Sequence, residues 1–308
     1  MGLTGKLVAA IEFKAGGDVF HELFRHKPHH VSTTSPGKVQ GCDLHEGEFG
    51  HVGSIICWKY THDGKEKIAK QLIQTIDEEK KLIEFKMLEG DLMEEYKTFL
   101  ITLHIETKDG IDLVTWTLEY EMLSEDVDHP ISLLSFFIDL TKDIETHHIG
   151  KPTDLEMGLT GKLVAAIEFK AGGDVFHELF RHKPHHVSTT SPGKIQGCDL
   201  HEGEFGHVGS IIFWNYTHDG KAKTAKQLIQ KIDEEKKLIE FKMLEGDLME
   251  EYKTFLITLH IETKNDIDLV TWTLEYEMLN DDVGHPISLL SFIIDLTKDI
   301  ETHHIKKP

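Results

Sequence analysis

The sequence predicts an α+β fold built twice over, each time as an antiparallel sheet curved around one long helix. Three observations point there. Residues 1–152 and 157–308 align without a gap at an offset of 156, with 13 differences. Within each half, segments of period-two apolar patterning follow one another across tight turns, which makes their pairing antiparallel. Each half then closes on a helix whose apolar face is too broad for a flat partner.

A period of this length is too long for a solenoid and matches a duplicated domain. The chain of 308 residues suits two domains. The expected boundaries are 1–149 for the first domain and 157–308 for the second. The connector 150–156, Gly-Lys-Pro-Thr-Asp-Leu-Glu, is short and polar, with Pro152 stopping the helix before it. Met157 reads as a former initiator, and domains so closely tethered raise each other's effective concentration for a two-ended partner.

Within the first repeat, Gly5–Phe13 reads as a strand. Gly16-Gly17-Asp18 is a break and a cap, followed by Val19, Phe20, Leu23 and Phe24 at helical spacing. Lys27-Pro28 ends that helix, a second short one extends to Thr34, and Ser35-Pro36-Gly37 turns the chain. The period then changes to two. Val39–Leu44, Ser54–Tyr60, Ile68–Ile76, Leu82–Leu88, Tyr96–Thr107 and Asp112–Met122 are the six further strands. Asp63-Gly64 and Lys108-Asp109-Gly110 are hairpin turns, and Asp77–Lys81 is a charged, solvated one.

The long helix is predicted over 129–148. Pro130 suits a first helical position, where a missing N–H has no partner to lose, with Asp128 or His129 as cap. Leu133, Leu134, Phe136, Phe137, Ile138, Leu140 and Ile144 share one face, with Phe137 near its centre; Ser132, Ser135, Asp139, Lys142, Asp143 and Thr146 share the other. Such a helix sinks into a concave partner. His147-His148 end it and, protonated, suit the negative pole of the helix dipole. The same helix returns at 285–304.

Composition excludes several classes. The net charge is −21 and no Lys/Arg run exceeds two, which disfavours nucleic acid. No stretch has transmembrane length, so no stable membrane insertion is expected. Cys42, Cys57 and Cys198 are odd in number and lack zinc-knuckle spacing. They fit a reducing, cytoplasmic compartment. The Met-Gly-Leu-Thr-Gly-Lys start resembles a myristoylation site, but Lys6 stands where Ser or Thr is wanted, and the same six residues recur at 157–162.

There are 22 histidines, including the adjacent pairs His29-His30 and His147-His148. Adjacent side chains point apart, so these read as solvated surface histidines, and neither a metal nor a cofactor is expected.

The order of elements, together with Glu46–Gly53, Ile83–Asp91, Tyr96–Phe99, Trp116–Glu121 and Leu140–Ile144, resembles the plant major latex proteins. These are a branch of the Bet v 1-like (pathogenesis-related class 10, START-like) superfamily, and the likeness covers each repeat nearly end to end. It implies two tandem helix-grip domains, each a curved seven-stranded antiparallel sheet with two short helices and a long C-terminal helix over an apolar cavity. It implies binding and carriage of hydrophobic small molecules, such as lipids, steroids, hormones or specialised metabolites, in plant defence or stress response. Some members of the superfamily are enzymes of alkaloid biosynthesis, so cyclisation, isomerisation or elimination in the cavity is an alternative. A storage or structural protein without ligand is another. No catalytic residue carries over, and protein partners are not specified.

In such a fold the core and the cavity wall are largely one surface. The candidate cavity residues are Phe85, Phe99, Trp116, Leu118, Tyr120, Leu134 and Phe137, with Phe241, Phe255, Trp272, Leu274, Tyr276, Leu290 and Ile293 at the matching places. Core packing is the plainer reading of Trp116 and Tyr120, and Tyr120 is the candidate polar handle. The glycine loop offers Gly47 and Gly50, and Gly203 and Gly206, as a cavity lip. Phosphate binding there is disfavoured by Glu46 and Glu48 and by the lack of a following Lys. Phe137 to Ile293, Cys57 to Phe213 and Ile68 to Thr224 mark where the two cavities are expected to differ.

Overall fold

The first repeat runs β1 (Thr4–Phe13), α1 (Gly17–His26), a 3-10 turn (Pro28–His30) leading into α2 (Val31–Thr34), β2 (Val39–Glu46), β3 (Ile55–His62) and β4 (Lys65–Asp77). It continues through β5 (Leu82–Gly90), a 3-10 turn (Asp91–Glu94), β6 (Tyr96–Lys108), β7 (Ile111–Met122) and α3 (Ile131–Ile149). The second repeats this as β8 (Thr160–Phe169), α4 (Gly173–His182), α5 (Val187–Thr190), β9 (Ile195–Glu202), β10 (Ile211–His218), β11 (Lys221–Asp233), β12 (Leu238–Gly246), β13 (Tyr252–Lys264), β14 (Ile267–Met278) and α6 (Ile287–Ile305). These elements belong to a computed structural model that describes residues 3–149 and 159–305. The expected connector 150–156 lies outside the described residues.

Each repeat is its own compact unit and is treated singly. In the first, the strand order is β2-β3-β4-β5-β6-β7-β1. All neighbours are antiparallel, and β1 returns to pair with β7 in a register that sets Leu7 opposite Leu118 and Ala9 opposite Trp116. Val114, Trp116, Leu118, Tyr120 and Met122 of β7 are buried while their neighbours are not, the period-two signature of a sheet with one covered face. Register shifts interrupt β2–β3 and β4–β5. Such bulges bend a sheet, and here they leave it able to wrap α3.

The seven apolar residues predicted for the inner face of α3 are all buried, and Thr141 and Glu145 join them. Both polar residues have work on that face. Thr141 Oγ1 accepts the Trp116 indole N–H at 2.9 Å, and the Glu145 carboxylate accepts the Lys14 backbone N–H at 2.5 Å. Pro130 stands one place before the helix rather than in its first position, and its carbonyl accepts the Leu134 N–H at 3.1 Å.

The start of α1 also differs from expectation. Gly16, at φ 94°, is the residue before the helix, and no side chain caps it from within the segment. Asp112 of β7 does so instead, accepting the Gly17 N–H at 2.7 Å, while Asp18 pairs with Lys81 at 2.7 Å. The residue nearest in sequence lost the cap to one 95 positions away. No helix among the described residues is long and apolar enough to cross a membrane.

Candidate apolar cavity

The concave face of the sheet is written in the inward positions of its strands. On β3 these are Ile56, Trp58, Tyr60 and His62, alternating with outward Ile55, Cys57, Lys59 and Thr61. On β4 they include Ala69 and Gln71, on β5 Phe85 and Met87. Ala69 lies opposite Trp58 in the β3–β4 register, so a small side chain faces the indole and leaves room above it.

Trp58, Tyr60, Ala69, Gln71, Phe85 and Met87, with Val39, Ile101, Trp116, Phe24 of α1, Leu92, and Leu133, Phe136, Phe137 and Leu140 of α3, enclose a cavity. The space between them open to the centre of a water-sized sphere is ≈ 60 Å³. The second repeat has the equivalent cavity, ≈ 80 Å³ on the same measure, between Trp214, Tyr216, Phe241, Trp272 and the inner face of α6. Both are walled almost wholly by carbon.

Of the candidates named from sequence, Phe85, Trp116 and Phe137 line the first cavity, and Phe241, Trp272 and Ile293 the second. Phe99, Leu118, Tyr120 and Leu134, and with them Phe255, Leu274, Tyr276 and Leu290, do not. They lie in the solid core, where the sheet closes onto the start of the helix. Phe99 packs edge-on to Tyr96 at 5.0 Å and stacks on Tyr120 at 5.9 Å. Leu118 and Leu134 have no exposed surface. The Tyr120 hydroxyl, expected to be the cavity's polar handle, is spent on His129 Nδ1 at 2.6 Å, and burial pushes its pKa well up.

Gly47, Gly50, Gly203 and Gly206 are not among the cavity-lining residues. Gly47, at φ 83°, is required twice over, since a Cβ there would also collide with Ser54 Oγ, and Gly50 abuts His26 of α1 in the same way. Ser54 Oγ accepts the Glu48 N–H at 3.0 Å, and Phe49 stacks on His29 at 5.3 Å. The loop is thus clamped to α1 and the following 3-10 turn, and the same contacts hold Gly203 and Gly206.

Two polar residues of the cavity wall, Gln71 and Tyr60, were not singled out from sequence. Gln71 accepts the Trp58 indole N–H at 3.0 Å. Tyr60 brings a buried hydroxyl with no hydrogen-bond partner among the described residues. The β3 alternation would have found both Trp58 and Tyr60. Among the described residues, no group of three or more His, Cys, Asp or Glu could hold a metal ion.

The two cavities differ at two lining positions. Phe137 stacks on Trp116 at 4.4 Å, and Ile293 replaces that ring; Val39 becomes Ile195, a change not anticipated. Cys57 and Phe213 sit on the outward side of β3 and β10, and Ile68 is 55% exposed. Neither substitution bears on cavity size, contrary to expectation, because both positions have the outward parity of their strands.

A curved antiparallel sheet and a long helix enclosing an apolar cavity define a helix-grip domain, here present twice. The profile of the Pathogenesis-related protein Bet v 1 family matches residues 2–150 and 158–307, and the chain belongs to that family. It is 48% identical over 309 residues to MLP-like protein 28 of Arabidopsis thaliana, covering 98% of this chain and 92% of that one. To MLP-like protein 34 of the same plant it is 49% identical over 305 residues, 98% and 96% of the two chains. The crystal structure of ginseng major latex-like protein 151 from Panax ginseng matches at 53% identity and TM-score 0.47, over 48% of this chain and 99% of that one.

Proposed function

We propose that each repeat binds and carries a hydrophobic small molecule between α3 and the sheet, or between α6 and its sheet, in the cytoplasm of a plant cell during defence or stress. The observation that carries this is the cavity itself. Protein interiors are normally filled to crystal-like density. Here a ring of large side chains leaves ≈ 60 Å³ open to the centres of water-sized spheres in one repeat and ≈ 80 Å³ in the other. Apolar pockets with few polar groups are the usual ligand sites. Burying a ligand's apolar surface contributes on the order of 25 cal/mol per Å² before the costs of ordering it. Family membership supports the reading, and the free thiols of Cys42, Cys57 and Cys198 support the compartment. The division into domains 1–149 and 157–308 belongs to the same proposal, and proteolysis within 150–156 should release two intact halves.

The enzyme reading draws no support from Tyr120 and Tyr276, which do not line the cavities. The test is native mass spectrometry of the plant-purified chain together with titration by a fluorescent lipophilic probe. Co-purified ligand and two probe equivalents per chain are expected. An empty protein that takes up no apolar probe would overturn the proposal.

A further inference from the structure

Among the described residues, the indole N–H groups on the cavity wall have partners and one tyrosine hydroxyl per repeat does not. Trp58 Nε1 is bonded to Gln71, and Trp116 Nε1 to Thr141. Tyr60 Oη and its counterpart Tyr216 Oη are buried without a partner among the described residues. Buried hydroxyls as a rule find a partner, and leaving one unpaired is costly. Tyr60 lines the cavity, and its ring meets Phe136 of α3 edge-on at 5.7 Å. The stacked pair of Trp116 and Phe137 supplies a separate, wholly apolar part of the wall.

Charge around this end selects further. Tyr60 also borders a depression on the outer surface, together with Lys59, Glu66, Lys67, Asp91 and Glu94. Two cations there face three carboxylates. At the matching positions of the second repeat stand Asn215, Ala222, Lys223, Asp247 and Glu250, one cation to two carboxylates. The substitutions remove one charge of each sign and leave the same excess of one negative charge. A carboxylate brought to this end would meet that excess as it lost its own hydration. Burial, with the Asp91 carboxylate adding to it, raises the Tyr60 pKa, so the group stays a neutral phenol that both donates and accepts.

We infer that Tyr60 and Tyr216 anchor the ligand, and that the ligand is an uncharged amphipathic molecule. It carries a hydroxyl, phenol or carbonyl oxygen at one end and an apolar body that reaches Trp116 or Trp272. This rests on reading the cavity as a ligand site.

The test uses the full chain and three probes of one shape: 2-methylnaphthalene, 2-naphthol and 2-naphthoate. One added hydrogen bond should make 2-naphthol bind about tenfold tighter than 2-methylnaphthalene. In the double variant Tyr60→Phe, Tyr216→Phe that gap should close, with 2-methylnaphthalene binding retained. 2-Naphthoate should bind more weakly than 2-naphthol. Removing an unpaired hydroxyl should leave the melting temperature of the unliganded variant unchanged or higher, which controls for folding. Equal binding of 2-naphthol and 2-methylnaphthalene by the natural chain, or a gap that survives the double substitution, would overturn the anchor and leave the cavity reading standing. Naphthoate binding as tightly as naphthol would overturn the uncharged class. Failure of all three probes to bind would overturn the cavity reading itself and the anchor with it.

Discussion

Trp116 and Phe137 lie face to face, ring centroids 4.4 Å apart with planes 24° from parallel. Trp272 has no such partner on α6, where Ile293 takes the place of the ring. This exchange accompanies the larger space in the second repeat. Phe137→Ile should therefore raise affinity for a bulky flat probe such as pyrene, and Ile293→Phe should lower it. Phe137→Ile should cost about 1–2 kcal/mol of stability through lost packing. Calorimetric titration of the full-length variants reads the first effect and urea unfolding the second. An unchanged binding profile in both variants would show that these positions do not set selectivity.

Asp112 holds the first turn of α1 from across the sheet, accepting N–H from Gly17 at 2.7 Å and O–H from Thr107 at 2.5 Å. The Thr107 hydroxyl, foremost, keeps its carboxyl below the usual range, with the Gly17 N–H assisting. The folded state thus prefers the ionised form. The stability gained is present above the ordinary carboxylate pKa and fades as pH falls through the lowered one. Asp112→Ala should cost about 1–2 kcal/mol at pH 7. Urea unfolding at pH 7 and pH 3 should show the difference from the natural chain narrowing in acid.

Glu145 titrates in the opposite sense. Burial on the inner face of α3 raises its pKa, and the Lys14 N–H offsets this only in part. A folded pKa above the unfolded one means that stability declines as pH rises between the two. Glu145→Gln keeps an oxygen for the Lys14 N–H and removes the charge. The variant should match or exceed the natural chain in melting temperature at pH 7, with the advantage gone near pH 4. A variant clearly less stable at pH 7 would count against this account.

Tyr120 and Tyr60 should separate structure from binding. Tyr120→Phe breaks the 2.6 Å bond to His129 and should cost about 1–2 kcal/mol while leaving probe affinity unchanged. A Cβ on Gly5 would collide with the Tyr120 hydroxyl and ring edge, so Gly5→Ala should destabilise the fold similarly through the same contact. Thermal unfolding and probe titration on each variant distinguish the two roles.

The elements were legible because their signals are local. Period-two runs marked the strands, Asp63-Gly64 marked a hairpin, and the face from Leu133 to Ile144 marked α3. The cavity was legible only in part. Phe99, Leu118 and Tyr120 share strand faces with Ile101 and Trp116, so periodicity places all five inside. Which inward residues meet the helix and which meet space depends on sheet curvature, and the register shifts that set it leave little trace in composition. Tyr60 was legible as an inward strand residue. That its hydroxyl lacks a partner among the described residues follows only from the packed structure.

The register of β1 against β7 has one further consequence. Leu3–Phe13 and Leu159–Phe169 are the same eleven residues, so every side chain that matches β1 to β7 is offered equally by β8. Pairing chemistry does not tell β7 which of the two to accept. During synthesis the order of emergence does: β1 has left the ribosome before β7, and β8 has not yet been made. Refolding from denaturant removes that precedence, because both strands are then present at once and compete for one edge.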